Sequence, residues 1–245
     1  MTLGRPTYPG LDANGKQLVY VPLDTFRHPR PPPENSSRQG SGFEVLRQMR
    51  VGDEYVDTFR DLADYTDTLR AHYEGTIQVL GVKIGDSRNA LQHRLLCLPP
   101  GMELNDSLEP NPSDDGNVSP CDLLAYEACR LTALIYSVMV TFPLPRSKYA
   151  RDCGLTTLEQ VFSAVDPSSQ GPDAARLYFW CLIVAGIGAF DHEHRAWFMA
   201  QTRKLAQELQ VWSWEEAEAI LITFAWLKCA CSSAGRDFWD QVWQE

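Results

Sequence analysis

A run of fourteen residues, Leu177–Phe190 (LYFWCLIVAGIGAF), contains no charged side chain. Pro172 and Asp173 precede this run and predict the start of a helix, because proline fits the first helical turn and a carboxylate is stabilised at the positive end of the helix dipole. A helix that is apolar on every side must be covered by other elements all round. The run is shorter than the ~20 apolar residues that a membrane-spanning helix needs. We therefore expect a buried core helix and no membrane partner.

Capping residues predict where several other helices begin. Asp53, Ser119 and the capping boxes Thr156–Glu159 and Ser213–Glu216 have side chains that can accept hydrogen bonds from free backbone amides. Gly235 is predicted to break the chain before a last helical turn. With the 3.6-residue spacing of the apolar positions, these signals predict an all-α fold of roughly seven to nine helices around the buried apolar helix.

The first 42 residues contain clusters of Pro, Gly and Ser and few apolar residues, so we expect an extended, partly disordered arm ahead of a helical domain over residues 43–245. Within the arm, Val19–Val21 can form a short strand only if a pairing partner exists. A second polar stretch, Gly101–Val118, predicts a surface loop between two helices.

The chain has 22 Lys and Arg against 32 Asp and Glu, which gives a formal net charge of -10. This balance argues against direct nucleic-acid binding, because phosphate contacts need clustered basic residues. Seven cysteines, an odd number, suggest no disulfide framework, and the pair Cys229 and Cys231 would point to different sides of a helix. We therefore expect buried free cysteines, no metal and no cofactor.

Two acidic or histidine motifs are candidates for catalytic sites. His192-Glu193-His194 lacks the second histidine that a metalloprotease helix needs, because residue 196 is Ala. Asp61, Asp64 and Asp67 have the spacing of a magnesium-binding cluster, but no second metal motif accompanies them. With Asp57 they are interpreted as a solvated acidic face, and we expect no enzymatic activity.

All seven tryptophans fall in the last 66 residues. Most are expected in the core. Trp197, Trp226 and Trp239 have helical positions or neighbours that make them candidates for contact with a partner or an effector.

Several segments of the chain resemble one family in order and in residue type. They are ALQHRLLCLP from Ala90, CDLLAYEACRLTALIY from Cys121, Arg195-Ala196-Trp197-Phe198, Ser213-Trp214-Glu215-Glu216 and Phe224-Ala225-Trp226-Leu227. On the basis of these segments, the stretch from Gly42 to Glu245 resembles the fungal-specific transcription factor domain. This domain is the C-terminal regulatory region of fungal zinc-cluster transcription factors.

The resemblance implies an all-helical nuclear domain that regulates RNA polymerase II transcription. Its partners would be proteins of the transcription machinery or a DNA-binding regulator, or its effector a small molecule. Such factors carry a six-cysteine zinc cluster, and no cysteine precedes Gly42. The alternatives are a short member that acts on a partner and a gene model that lacks its first exon; in neither case is direct DNA contact expected from this chain. The competing interpretation is a helical metabolic or small-molecule-binding protein, including an enzyme.

Overall fold

A computed structural model describes residues 39–79, 81–107, 119–142, 148–191 and 193–244, and every regular element among them is helical. The α-helices are α1 (Val45–Gln48), α2 (Asp53–Tyr73), α3 (Gly81–Cys97), α4 (Gly101–Ser107), α5 (Pro120–Tyr136), α6 (Lys148–Ser163), α7 (Pro172–Gly188), α8 (Arg195–Glu208), α9 (Trp214–Leu221) and α10 (Lys228–Gln244). The predicted all-α fold is confirmed. The short helices α1 and α4 bring the number in this part of the chain to ten.

Helix α7 forms the centre of the core, as its composition predicts. Each residue from Leu177 to Ala185 has at most 1% of its surface exposed. Helices α5, α6, α8, α9 and α10 all contact α7. The helix begins at Pro172 as expected but ends at Gly188, so Phe190 lies beyond it and is exposed.

Helix α5 also follows its sequence signals. The Ser119 hydroxyl caps the helix by accepting a hydrogen bond from the Cys121 amide. After Tyr136 the helix continues as a π-helical turn over Ser137–Thr141. Among the described residues, the 22-residue stretch Pro120–Thr141 is the one helix long and apolar enough to cross a membrane, although 56% of its most apolar window is buried in the fold. Burial of that kind is typical of a core helix, so the length alone is weak evidence for a membrane span.

Three local predictions before residue 160 are wrong. Gly52, not Asp53, is the N-cap of α2, and the Asp53 carboxylate instead accepts a hydrogen bond from Arg47. Residues 101–107 form α4 and not a loop, because the Glu127 carboxylate accepts a hydrogen bond from the Gly101 amide at 2.9 Å. Thr156 lies inside α6 and donates to a backbone carbonyl one turn earlier, so it forms no capping box.

The acidic face of α2 is only partly solvated. Asp61 is 5% exposed and accepts a hydrogen bond from Arg94 of α3, which also donates to Thr58. A buried carboxylate is tolerated because this arginine compensates its charge. The apolar stripe of α2 is buried at Val56, Phe59, Ala63, Thr66 and Leu69, but Tyr73 at its end is 67% exposed.

The last two helices are separate elements. Helix α9 ends at Leu221, and residues 222–227, here called the α9–α10 turn, separate it from α10. Gly235 does not break the chain; it lies within α10, where a Cβ atom would come within 2.5 Å of the Trp214 ring. Glycine is therefore required for close packing at this position, and not for a turn.

The described structure begins at Gln39, and Ser41–Glu44 form a 3-10 turn that inserts the buried ring of Phe43 into the core. Residues 1–38, including the strand proposed at Val19–Val21, lie outside the described residues, so the extended arm stays a prediction. Residues 108–118 and His192 also lie outside them.

All seven cysteines are free, but only three are buried. The four exposed ones, Cys97, Cys121, Cys153 and Cys229, correct the expectation of buried cysteines throughout.

Candidate functional site

The α9–α10 turn is fixed to the core by side chains from distant elements. The Trp180 indole donates to the carbonyl oxygen of Ala225 at 3.0 Å, and the Tyr136 hydroxyl accepts from the Leu227 amide at 3.1 Å. Burial raises the pKa of Tyr136, so its hydroxyl stays neutral. The Gln39 amide donates to the carbonyl oxygen of Trp226 at 3.3 Å. The turn is thus held in one conformation although it lacks regular structure.

Aromatic rings connect the turn to the first described residues. Trp180 stacks on Phe224 with ring centroids 5.7 Å apart, and Phe43 meets both rings edge-on at 5.3 and 5.2 Å. Gly42 packs so closely to Phe224 that an added Cβ would overlap the ring. Residues 42 and 43 and the α9–α10 turn therefore pack together as one wall.

A cleft of about 390 Å³ lies against this wall, and we call it the α7–α9 cleft. Its lining comes from the segment before α1, from α1, from the start of α7, from the end of α9 and from the α9–α10 turn: Ser41, Gly42, Glu44, Val45, Gln48, Asp173, Arg176, Ala219, Ile220, Thr223 and Phe224. Val45 and Phe224 give it an apolar floor, and Asp173 pairs with Arg176 at its rim at 3.2 Å. Its volume is within the range of small-molecule sites.

Two of the three predicted contact tryptophans are in the core. Trp226 is 1% exposed and Trp239 is 3% exposed. Trp226 packs against Trp214, with ring centroids 6.3 Å apart, and Trp239 packs against Phe179 at 6.1 Å. A role for either in contacting a partner stays a prediction, and it would require the core to open.

Trp197 is the partly exposed member of the three. Its ring contacts Phe162 of α6 at 6.3 Å and its helical neighbour Phe198 at 5.1 Å. Trp197 does not lie on the buried face of α8, which contains Phe198, Thr202 and Leu205. Its ring packs against α6 instead. Among the described residues, no ring contact joins it to Trp226 or Trp239, so the structure does not bring the three predicted residues into one site.

The most exposed tryptophan among the described residues, Trp212, was missed by the sequence reasoning. Its side chain is 60% exposed, and its ring contacts Trp243 of α10 at 5.6 Å. Trp212 immediately precedes the capping box of α9, a position where an apolar residue usually packs against its own helix. Ala217, at the facing position of α9, is too small for such a contact. The absence of a large partner in the helix is the sequence signal that could have identified Trp212 as exposed.

The capping box fixes the backbone beside this ring. The Ser213 hydroxyl accepts from the Glu216 amide, and the Glu216 carboxylate accepts from the amides of Trp212 and Ser213 at 2.8 and 3.0 Å. These two bonds lower the pKa of the Glu216 carboxyl. The predicted box is confirmed, and it holds Trp212 in place.

Charged groups of the described residues are largely paired with one another. Ion pairs connect carboxylates to Arg47, Arg60, Arg70, Arg94, Arg130, Arg151, Arg176, Lys204, Lys228 and Arg236. The described residues contain no group of three or more His, Cys, Asp or Glu side chains placed to hold a metal ion.

The model of the fungal specific transcription factor domain matches residues 56–226, which is more than half of the chain. Neither the comparison with curated proteins nor that with solved structures gave a match. The matched range runs from the first turn of α2 through α9 and most of the α9–α10 turn, so it includes the central helix and the capping box described above. This chain therefore belongs to the fungal specific transcription factor domain family.

Proposed function

We propose that this domain acts on transcription in the nucleus through a protein partner and does not contact DNA itself. The family accounts for a regulatory role in transcription. The partner is a component of the RNA polymerase II machinery or a DNA-binding regulator. The main observation that supports action without direct DNA contact is the pairing of the arginines with carboxylates of the same chain.

A DNA-binding surface needs basic side chains that are free to neutralise phosphates. Most of the arginines described above are bound to carboxylates, and Arg195 and Arg203 donate to backbone carbonyl oxygens. Moving these cations to DNA would leave their acidic partners uncompensated in a chain of net charge -10. Direct binding to duplex DNA would therefore be weak.

Two measurements on the purified chain and in cells test this proposal. In a fluorescence anisotropy titration with a labelled duplex at physiological salt, we expect no binding, and a known basic DNA-binding domain serves as the positive control. Tight, salt-dependent binding would contradict the proposal.

When the chain is tethered to an unrelated DNA-binding module, we expect reporter transcription to change relative to the module alone. An unchanged reporter would contradict the regulatory role.

The proposal includes no catalytic step. The family consists of transcription factor domains, and the polar groups at the rim of the α7–α9 cleft are paired with each other. Glu44 on the opposite side is neutralised by Arg47 and Arg60.

The α7–α9 cleft favours a second candidate function, regulation by a small-molecule effector. Its paired charges and apolar floor would suit a neutral ligand with one apolar face. Thermal denaturation against a panel of neutral amphipathic metabolites tests this, with an Ile220→Trp variant that fills the cleft as control. Stabilisation of the wild type alone would support an effector site. Equal stabilisation of both proteins would contradict it.

A further inference from the structure

We propose that an arginine- or lysine-rich segment of a partner protein binds at the Trp212 surface, which we define as Trp212, Trp243, Asp240 and Glu208. This inference rests on the proposed function, because it names the class of partner and the place where it docks. Two features carry it: an exposed aromatic side chain held in a fixed position, and the exposed carboxylate of Asp240, one helical turn from the neighbouring ring of Trp243.

The indole of Trp212 is exposed and yet well positioned. Its backbone amide is bound to Glu216, and its ring rests on Trp243. Trp243 contacts Trp239 at 5.6 Å, and Trp239 contacts Phe179 of the central helix. A continuous series of rings thus connects the surface to the core. A side chain ordered before binding loses little conformational entropy in a complex, which is why such tryptophans dominate protein interfaces.

The chain segments that lead to Trp212 and Trp243 carry more acidic than basic residues. Residues 203–216 and 236–244 contain five acidic residues and three basic ones. Asp240 is exposed, lies one helical turn from Trp243 on the same face of α10, and has no ion-pair partner among the described residues. Glu208 lies at the end of α8, next to the turn that leads to Trp212.

The neighbouring cations are already engaged. Arg203 donates to the carbonyl oxygen of Val242 at 2.7 Å, Arg236 pairs with Glu215 at 2.8 Å, and Lys204 lies 3.9 Å from Glu208. The ring of Trp212 therefore has no cation of its own chain over it among the cation–ring contacts of the described residues. An incoming guanidinium can occupy that face.

The chemistry of the surface selects one class of occupant. A guanidinium stacks on an indole face through cation–π attraction, and tryptophan is the strongest partner for it. Asp240, one helical turn from Trp243, and Glu208, four residues before Trp212, can add charge-assisted hydrogen bonds to further cations of the same segment. Nucleic acid would be repelled by these carboxylates. A second copy of this chain would bring the same acidic surface and arginines that are already paired.

A peptide of nine arginines, labelled with fluorescein, is the probe for this site. Fluorescence anisotropy at low and at physiological salt should show binding to the wild-type chain and none of a nine-glutamate peptide. Trp212→Ala leaves the net charge unchanged and should weaken binding by about two- to fivefold, the equivalent of one exposed cation–π contact. Asp240→Asn should weaken it further at low salt, and Trp212→Phe should retain part of the affinity.

Tyr73→Ala is the matched control, because Tyr73 is an equally exposed aromatic residue outside the Trp212 surface. Each variant is first shown to keep the wild-type thermal melt. Equal affinity of the wild type and Trp212→Ala, or equal weakening by Tyr73→Ala, would overturn the site, because binding would then follow net charge alone. If the peptide assay fails while the tethered chain still changes reporter transcription, only this site is wrong. If the reporter is also unchanged, the proposed function is wrong as well.

Discussion

The hydroxyl of Tyr136 in α5 accepts a hydrogen bond from the backbone amide of Leu227, 91 residues later in the chain. Both groups are buried, and the Thr66 hydroxyl lies 3.4 Å from the same oxygen. A buried amide must find an acceptor when no regular helix provides one. Tyr136 thus replaces the helical hydrogen bond that is lost where α9 ends, and it allows the α9–α10 turn to cross the core.

Replacing Tyr136 tests this relationship. Tyr136→Phe keeps the ring but leaves the Leu227 amide buried without an acceptor, so the free energy of unfolding should fall by about 1–3 kcal/mol. Urea denaturation followed by circular dichroism measures the change. Tyr73→Phe removes an exposed hydroxyl and should change stability by less than about 0.5 kcal/mol. If both variants have the same stability as the wild type, the proposed role of Tyr136 fails.

A charge in the central helix should prevent folding. Leu182→Asp places an unpaired carboxylate among residues that are buried on all sides, and its cost of more than about 4 kcal/mol is a large part of the stability of a domain. We expect no cooperative thermal melt. Leu96→Asp, at an exposed position of α3, should melt like the wild type. A cooperative melt of Leu182→Asp would show that α7 is not the centre of the core.

Glycine at position 235 is expected to be required by packing. Gly235→Ala would push a methyl group into the Trp214 ring and should destabilise the protein by about 1–3 kcal/mol, as overpacked cores do. Gly85→Ala in α3 is the matched substitution, because nothing lies within 4 Å of its added Cβ. That variant should gain about 0.5–1 kcal/mol from helix propensity. Opposite signs in chemical denaturation are the expected result, and a gain at both positions would refute the packing argument.

The capping box of α9 should contribute measurably to stability. Ser213→Ala removes the acceptor of the Glu216 amide, at a cost of about 1 kcal/mol. Ser233→Ala, on the exposed face of α10, should be neutral or slightly stabilising because alanine is the better helix former. Thermal denaturation of the two variants distinguishes a capping effect from a general effect of replacing serine.

Acidification should remove the contribution of Glu216. Its pKa is lowered in the folded protein by the amides of Trp212 and Ser213, so its stabilising effect is present above its ordinary pKa and is lost as the pH falls through the lowered value. The difference in unfolding free energy between the wild type and Glu216→Gln should therefore be largest at neutral pH and shrink in acid. A difference that grows on acidification would contradict this assignment.

Features encoded within one segment could be predicted from the sequence. The burial of α7 follows from its composition alone, and the caps at Ser119 and Ser213 depend on residues within one turn. Features that depend on distant residues could not. Asp61 looked solvated because its partner Arg94 lies 33 residues away, and the end of α9 depends on Tyr136.

The candidate surface was missed for a similar reason. Helical periodicity identifies which residues face the core, but it says little about a residue that precedes a helix, such as Trp212. Its neighbour Trp243 is on another helix, and the contact between them depends on how α10 packs. By contrast Trp226 and Trp239, which the pattern marked as candidates, are buried by that same packing.

The contacts of Gln39 have a consequence for the order of events during synthesis. Gln39 bonds to Trp226, 187 residues later, so the wall that they share cannot close until nearly the whole described chain has left the ribosome. Until then, part of the apolar surface of helices α1 to α8 stays exposed to the cytosol. Domains whose contacts join distant parts of the chain fold slowly and are prone to aggregate while incomplete. This domain should therefore depend on chaperones during translation more than its all-helical structure alone would suggest.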